Sequence, residues 1–191
     1  MRIPRPTLLM LMLLVATCLP AQFRDRDPLT KQEAADLADV KQEPEKRLDL
    51  FVKYARARLS SVEQTRNDPK AQDRGQKLHD LLEDFTTIVD EMSDNIDDYS
   101  DKRDDIRKPL KKVIDADTEF QIRLKNFKQA SATPASASSA PANDASDYTF
   151  ALQNAIEAVN ANADDARKIL EDQERIVKEA KEAEKLKKKK Q

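Results

Sequence analysis

The 191-residue chain is 39% hydrophobic and 37% charged, with one glycine, nine prolines and no tryptophan. That is too little apolar material for a large globular core, so a small or elongated fold is expected. A single glycine cannot supply the left-handed turn positions of a sheet or barrel, and strand-type alternation of Val, Ile and Thr is missing, which leaves helix. The net charge of −2 points to no polyanionic partner.

Residues 1–21 read as a signal peptide. Arg2 and Arg5 make a positive start, Leu8 to Val15 a short apolar stretch, and Leu19-Pro20-Ala21 a small-residue cleavage site. The apolar stretch is well short of the roughly 20 residues that cross a bilayer, so export with cleavage after Ala21 is expected rather than a membrane span. The alternative is a lipid anchor: Val15-Ala16-Thr17-Cys18 approximates a lipobox, although Thr17 stands where Gly, Ala or Ser is usual. Cleavage after Ala21 removes the single cysteine, leaving no disulfide or thiol chemistry. It also takes Arg2 and Arg5 from the 34 basic residues and nothing from the 36 acidic ones, leaving a charge of −4. Lack of disulfides and of any Asn-x-Ser/Thr acceptor favours a bacterial envelope, periplasmic or extracellular, over a eukaryotic secretory route.

After a polar lead-in over 22–29, Thr30 and Glu33 form a capping box that starts a short helix to about Glu43. Pro44 fits the first turn of a second helix running to about Arg66, whose Leu48, Val52, Ala55, Leu59 and Val62 recur at steps of 4 and 3. Asn67-Asp68-Pro69 stops it. The same stepping from Leu78 to Phe127 meets fifteen positions, thirteen of them apolar, with Arg103 and Asp117 as the exceptions. A 3.5-residue repeat of that length predicts a helix that packs its seam with coiled-coil-like geometry. Pro109 leaves the phase unchanged and is read as a kink in one long helix, with a full break near Ser100 as the alternative. Arg103 and Asp117, both on the seam, could pair with polar groups of a neighbouring helix and fix its register, the alternative being a solvated gap in the seam at the kink.

Residues 130–146, rich in Ala, Ser and Pro, form a flexible linker. Asp147 then caps a last helix within residues 147–191, whose seam through Leu152, Ile156, Val159, Ala163, Ala166, Leu170, Gln173, Val177 and Ala180 is thin. Glu171 with Arg175, Glu174 with Lys178 and Glu184 with Lys188 are set to pair on its exposed face. At 1.5 Å per residue, residues 70–129 reach roughly 90 Å, which the two shorter helices together match. The expected architecture is all-α: an elongated bundle or antiparallel coiled-coil-like arrangement built on one long helix within residues 22–129. The second helix lies antiparallel on its first part and the last helix antiparallel on its second part. A lone helix cannot bury such a seam, so self-association is a further option.

Residues suited to chemistry are few. His79 is the only histidine, and Gln76 stands where a di-iron Glu-x-x-His motif needs Glu, so neither a metal ligand set nor a catalytic residue is assigned. Gly75 follows no strand, which excludes a phosphate loop. Asp90, Asp94, Asp97, Asp101 and Asp104 share one helical stripe, with Glu91, Asp98 and Asp105 beside it. The stripe could take a cation, although no Asp-x-Asp-x-Asp-Gly loop exists and solvation alone explains such a face. The tail from Lys185 to Lys190 could touch anionic lipid, or simply complement the negative end of the helix dipole. Nucleic acid is not expected, because no aromatic platform or basic groove accompanies the lysines, and no small-molecule substrate or cofactor is evident. These features together point to an exported, non-enzymatic structural or protein-interaction module, with cation binding on the Asp90 to Asp105 stripe as the alternative.

Overall fold

The computed structural model describes residues 27–132 and 142–189, and all secondary structure within them is helical. The expected signal segment with Cys18, and residues 133–141 of the expected linker, lie outside the described residues. Helix α1 (Lys31–Asp39) begins at the anticipated capping box: Glu33 N donates to Thr30 Oγ1 (3.2 Å) and Thr30 N donates to the Glu33 carboxylate (2.8 Å). Helix α2 (Pro44–Asn67) has its proline in the first turn, where the missing N–H has no partner to lose. Leu48, Val52, Ala55, Leu59 and Val62 are all buried, joined by Phe51 and Tyr54.

The expected single helix over 70–129 is two helices, α3 (Arg74–Asp101) and α4 (Arg107–Ala132). The break beginning just past Ser100, held above as the alternative, is the one that occurs. Arg103 adopts a left-handed backbone with φ 62°, its N–H donating to Ser100 O and that of Asp104 to Tyr99 O, so the chain turns out of α3. Pro109 then falls in the first turn of α4, where the backbone N–H groups lack intrahelical acceptors; it helps start a helix rather than kink one. Arg103 is therefore exposed in the turn and not buried on the seam, so at this position the solvated gap is what occurs.

The two halves fold back on one another. Phe85 and Phe120 would be roughly 50 Å apart along one helix, yet their rings meet edge to face at 5.5 Å and 87°. The apolar seam survives the break, with Ile106, Leu110 and Val113 buried as Ile96 and Tyr99 are, because both halves face one core.

Helix α5 (Ala142–Lys189) completes a four-helix bundle. It packs on α3 and α4, as does α2, so the pairs α3/α4 and α2/α5 sit on the two diagonals. Arg47 to Asn95 and Arg58 to Asp84 set α2 antiparallel to α3. Phe127 to Tyr148 and Asp117 to Asn162 set α5 antiparallel to α4. Both pairings are those expected, but they lie side by side instead of end to end. In consequence α2 and α4 run parallel, stitched by Lys112 to Glu45 and Asp49, Arg56 to Glu119 and Arg123 to Glu63. Residues 102–106 thus cross one end of the bundle diagonally. The segment ahead of α2 lies along its outside, tied by Arg58 to Glu33 and to Pro28 O, and by Tyr54 to Asp36.

Helical residues extend into both ends of the expected linker, over 130–132 and 142–146, so Asp147 does not cap α5. On the seam of α5, Leu152, Val159, Ala163 and Ala166 are buried, Ile156 and Leu170 are half-buried, and Ala180 is exposed.

Two stability changes follow from this core. Phe85→Ala should cost about 3 to 5 kcal/mol, by losing a fully buried ring and its partner Phe120. Arg103→Gly should raise stability by roughly 0.5 to 1 kcal/mol, because glycine adopts a positive φ without the steric cost of a Cβ. Urea titration of both variants tests this, and an Arg103→Gly midpoint below wild type would contradict the left-handed turn.

Candidate functional site

Three places concentrate polar chemistry. The first is the acidic face of α3, where Asp90, Asp94, Asp97, Asp98 and Asp101 are exposed and Glu91 is half-buried. It is shorter than expected, since Asp104 and Asp105 lie in the crossover beyond the helix end. Partial burial, followed by the neighbouring carboxylate of Asp94, raises the Asp90 pKa. Asp97 is raised by burial and then by Asp165, Asp101 and Asp94. Asp165 comes from α5 and was not foreseen, because a heptad pattern alone does not say which helices lie side by side. Asp98 is instead lowered by Lys102, at 2.9 Å, and Asp105 is lowered to about 2 by the Arg107 guanidinium at 2.6 Å. Among the described residues no group of three or more His, Cys, Asp or Glu side chains converges as metal ligands would.

His79 sits at the other end of α3, partly exposed, with Nε2 3.5 Å from Glu83 and Nδ1 3.8 Å from Asp80. Gln76 does not join it; its amide donates to Asp80.

The second place is the crossover end of the bundle. Gln173 Nε2 donates to Asp104 O (2.9 Å) and Ile106 N donates to Gln173 Oε1 (3.2 Å), so one side chain of α5 satisfies both faces of the turn. An open cleft beside it is lined by Pro44, Glu45, Asp105, Arg107, Lys108 and Glu174. Its charges are matched internally, Lys108 to Glu45 and Arg107 to Asp105. Of the expected pairs on α5 only Glu184 with Lys188 forms, at 2.6 Å. Arg175 turns to Asp172, and Glu174 reaches Lys111 on α4. Beyond these contacts α5 shares an open cleft with Arg107 of α4, lined by Val177, Lys178, Lys181 and Lys185, but among the described residues no hydrogen bond or ion pair ties 176–189 to another helix. Ile176 and Leu186 are exposed there, and Lys178, Lys181, Lys185 and Lys188 recur at steps of 3, 4 and 3 along one side.

The third place is inside. Asp117 and Asn162 are the buried polar residues of the described core, and Asn162 Nδ2 donates to Asp117 Oδ2 at 2.8 Å. Asp117 thus meets the expectation of a polar partner on the neighbouring helix. Desolvation pushes its carboxyl up to about 7, against the opposing effects of Asn162 and Arg167. Asn162 was missed because it lies one position off the α5 seam; an asparagine among alanines on that side was the available signal.

No protein-family profile, curated protein or solved structure matches this chain.

The like charges on the α3 face carry a measurable cost. Because the Asp97 pKa is raised, stability falls as pH climbs through the carboxylate range, and salt should offset part of that loss. Asp97→Asn should raise the melting temperature at neutral pH by about 1 to 2 °C in low salt. It should also flatten the response to added sodium chloride. Equal salt dependence in both proteins would show that these carboxylates do not repel one another appreciably.

Proposed function

We propose that this protein is an exported, non-enzymatic helical module of the cell envelope that works by contact, as a structural or protein-interaction element. The observation that carries this reading is the end of α5, which continues past the bundle with Ile176 and Leu186 uncovered and a row of lysines along one side. A helix end that buries nothing gains little from packing, so its length is best accounted for by something it touches. The bundle beneath it is well suited to hold such an arm at a fixed angle, since Gln173 and the Glu174 to Lys111 bridge tie α5 to the crossover where it leaves the core. The cleft at the crossover, whose charges are matched internally, supports a binding role over catalysis. The sequence of residues 1–21 supports export, and no described helix is long and apolar enough to cross a membrane.

Site-specific photocrosslinking in cells separates this reading from its rivals. Crosslinkers at Ile176 and Leu186 should give discrete adducts, with another protein or with a second copy, that a crosslinker at exposed Ile122 on α4 does not give. Removing residues 179–189 should abolish the Leu186 adduct and shift the melting temperature by no more than about 1 °C, since no buried surface is lost. Mass spectrometry of the protein from fractionated cells should find Gln22 as the first residue. Absence of adducts at both arm positions, or recovery of an uncleaved cytosolic chain, would remove the proposal.

A further inference from the structure

Asp117 and Asn162 face each other across the α4/α5 seam, with Asp117 fully buried and Asn162 2% exposed. A carboxylate and a primary amide can share at most one kind of hydrogen bond, amide N–H to carboxylate oxygen, and that bond is present at 2.8 Å. It leaves two acceptors with nothing to accept: Asp117 Oδ1 and Asn162 Oδ1 are both buried and both lack a hydrogen-bond partner. A buried acceptor without a donor is costly, and two on one pair of side chains call for a common remedy.

One hydrogen supplies it. We infer that the bundle takes up a single proton from solvent on Asp117 Oδ1, which then donates to Asn162 Oδ1 and closes a two-bond acid–amide clamp between α4 and α5. The carboxylate becomes a neutral carboxylic acid, the amide is unchanged, and no other group is consumed. In the closed form both orphaned oxygens are satisfied and no net charge is buried at the seam. In the open, deprotonated form a carboxylate remains in an apolar interior, and the seam must loosen to admit water.

The surroundings leave the carboxylate with little competing support. On α5, Arg167 acts on Asp117 from a distance but is itself bound to Asp164 at 3.1 Å, and Asp165 is directed to the α3 face beside Asp97. On α4, Glu119 is occupied by Arg56 of α2 and by Arg123. At this level α2 contributes Tyr54, whose hydroxyl is engaged by Asp36, and α3 contributes buried Ile88 and Val89, with Asp90 on its outer side. The α5 side of the seam is largely alanine here, at Ala155, Ala163 and Ala166, so small buried side chains surround the clamp.

Asp117→Asn provides the test, because an asparagine at 117 donates an N–H to Asn162 Oδ1 at every pH and imitates the closed clamp permanently. The wild-type melting temperature should fall by on the order of 5 °C between about pH 5 and about pH 8, while that of Asp117→Asn stays nearly level. Amide hydrogen exchange over residues 155–166, corrected for its intrinsic pH dependence, should quicken at the upper pH in wild type and not in the variant. Should the variant fail to fold, carboxyl carbon chemical shifts of the wild-type protein decide the matter alone: the Asp117 signal should titrate near neutrality. Titration of that signal in the ordinary aspartate range near 4, or parallel pH profiles of the two proteins, would overturn the inference.

Discussion

The bundle depends on the chain reversing direction between Asp101 and Arg107. The buried apolar residues of α3 and α4 form a stripe that stays in phase across the turn, and a stripe of that length on a straight rod has no intramolecular partner to cover it. Folding the rod in half brings the stripe against itself on a diagonal, with Phe85 on Phe120 at the centre. The two remaining helices fill the flanks. Because α3 and α4 occupy opposite corners and run in opposite directions, α2 and α4 become parallel neighbours, and the ion pairs of Lys112, Arg56 and Arg123 line that side. Such exposed pairs add little energy individually. Their regular spacing, Glu45 and Asp49 with Lys112 through Glu63 with Arg123, nevertheless records a single register along the bundle.

The two flanks differ in character. Helix α2 brings Leu48, Phe51, Tyr54 and Leu59 to the core, whereas α5 brings mostly alanine, relieved by Leu152 and Val159. Small side chains let α5 approach closely but remove little apolar area from water. On that thin side the structure places its buried polar pair, and at the end of that side a glutamine holds the crossover. The polar contacts of α5 thus serve to position a helix whose apolar contacts alone specify its register weakly.

Much of this was legible in the residues. The capping box at Thr30, the helix start at Pro44 and the seam from Leu78 to Phe127 are local or periodic signals, and all appear where the pattern places them. The chain reversal was not resolved by the pattern, because five residues with Arg103 at one seam position and Ile106 at the next preserve the 4 and 3 stepping whether the helix continues or stops. Pro109 misled for a related reason: a proline inside a periodic stretch fits a kink and a new first turn equally well, and only the direction of the chain distinguishes them. Asp117 was identifiable as an interruption of an apolar seam, while Asn162 and Asp165 acquire their roles from neighbours far away in sequence.

The contact between Gln173 and the crossover bears on the order in which the molecule is completed. Ile106 N and Asp104 O find their partner in a residue synthesised long after them, so the reversal between α3 and α4 stays unsealed until α5 has docked. An emerging chain that reaches only α4 holds a hinge and not a finished corner. Completion of the corner between α3 and α4 is thereby coupled to arrival of the last helix of the bundle.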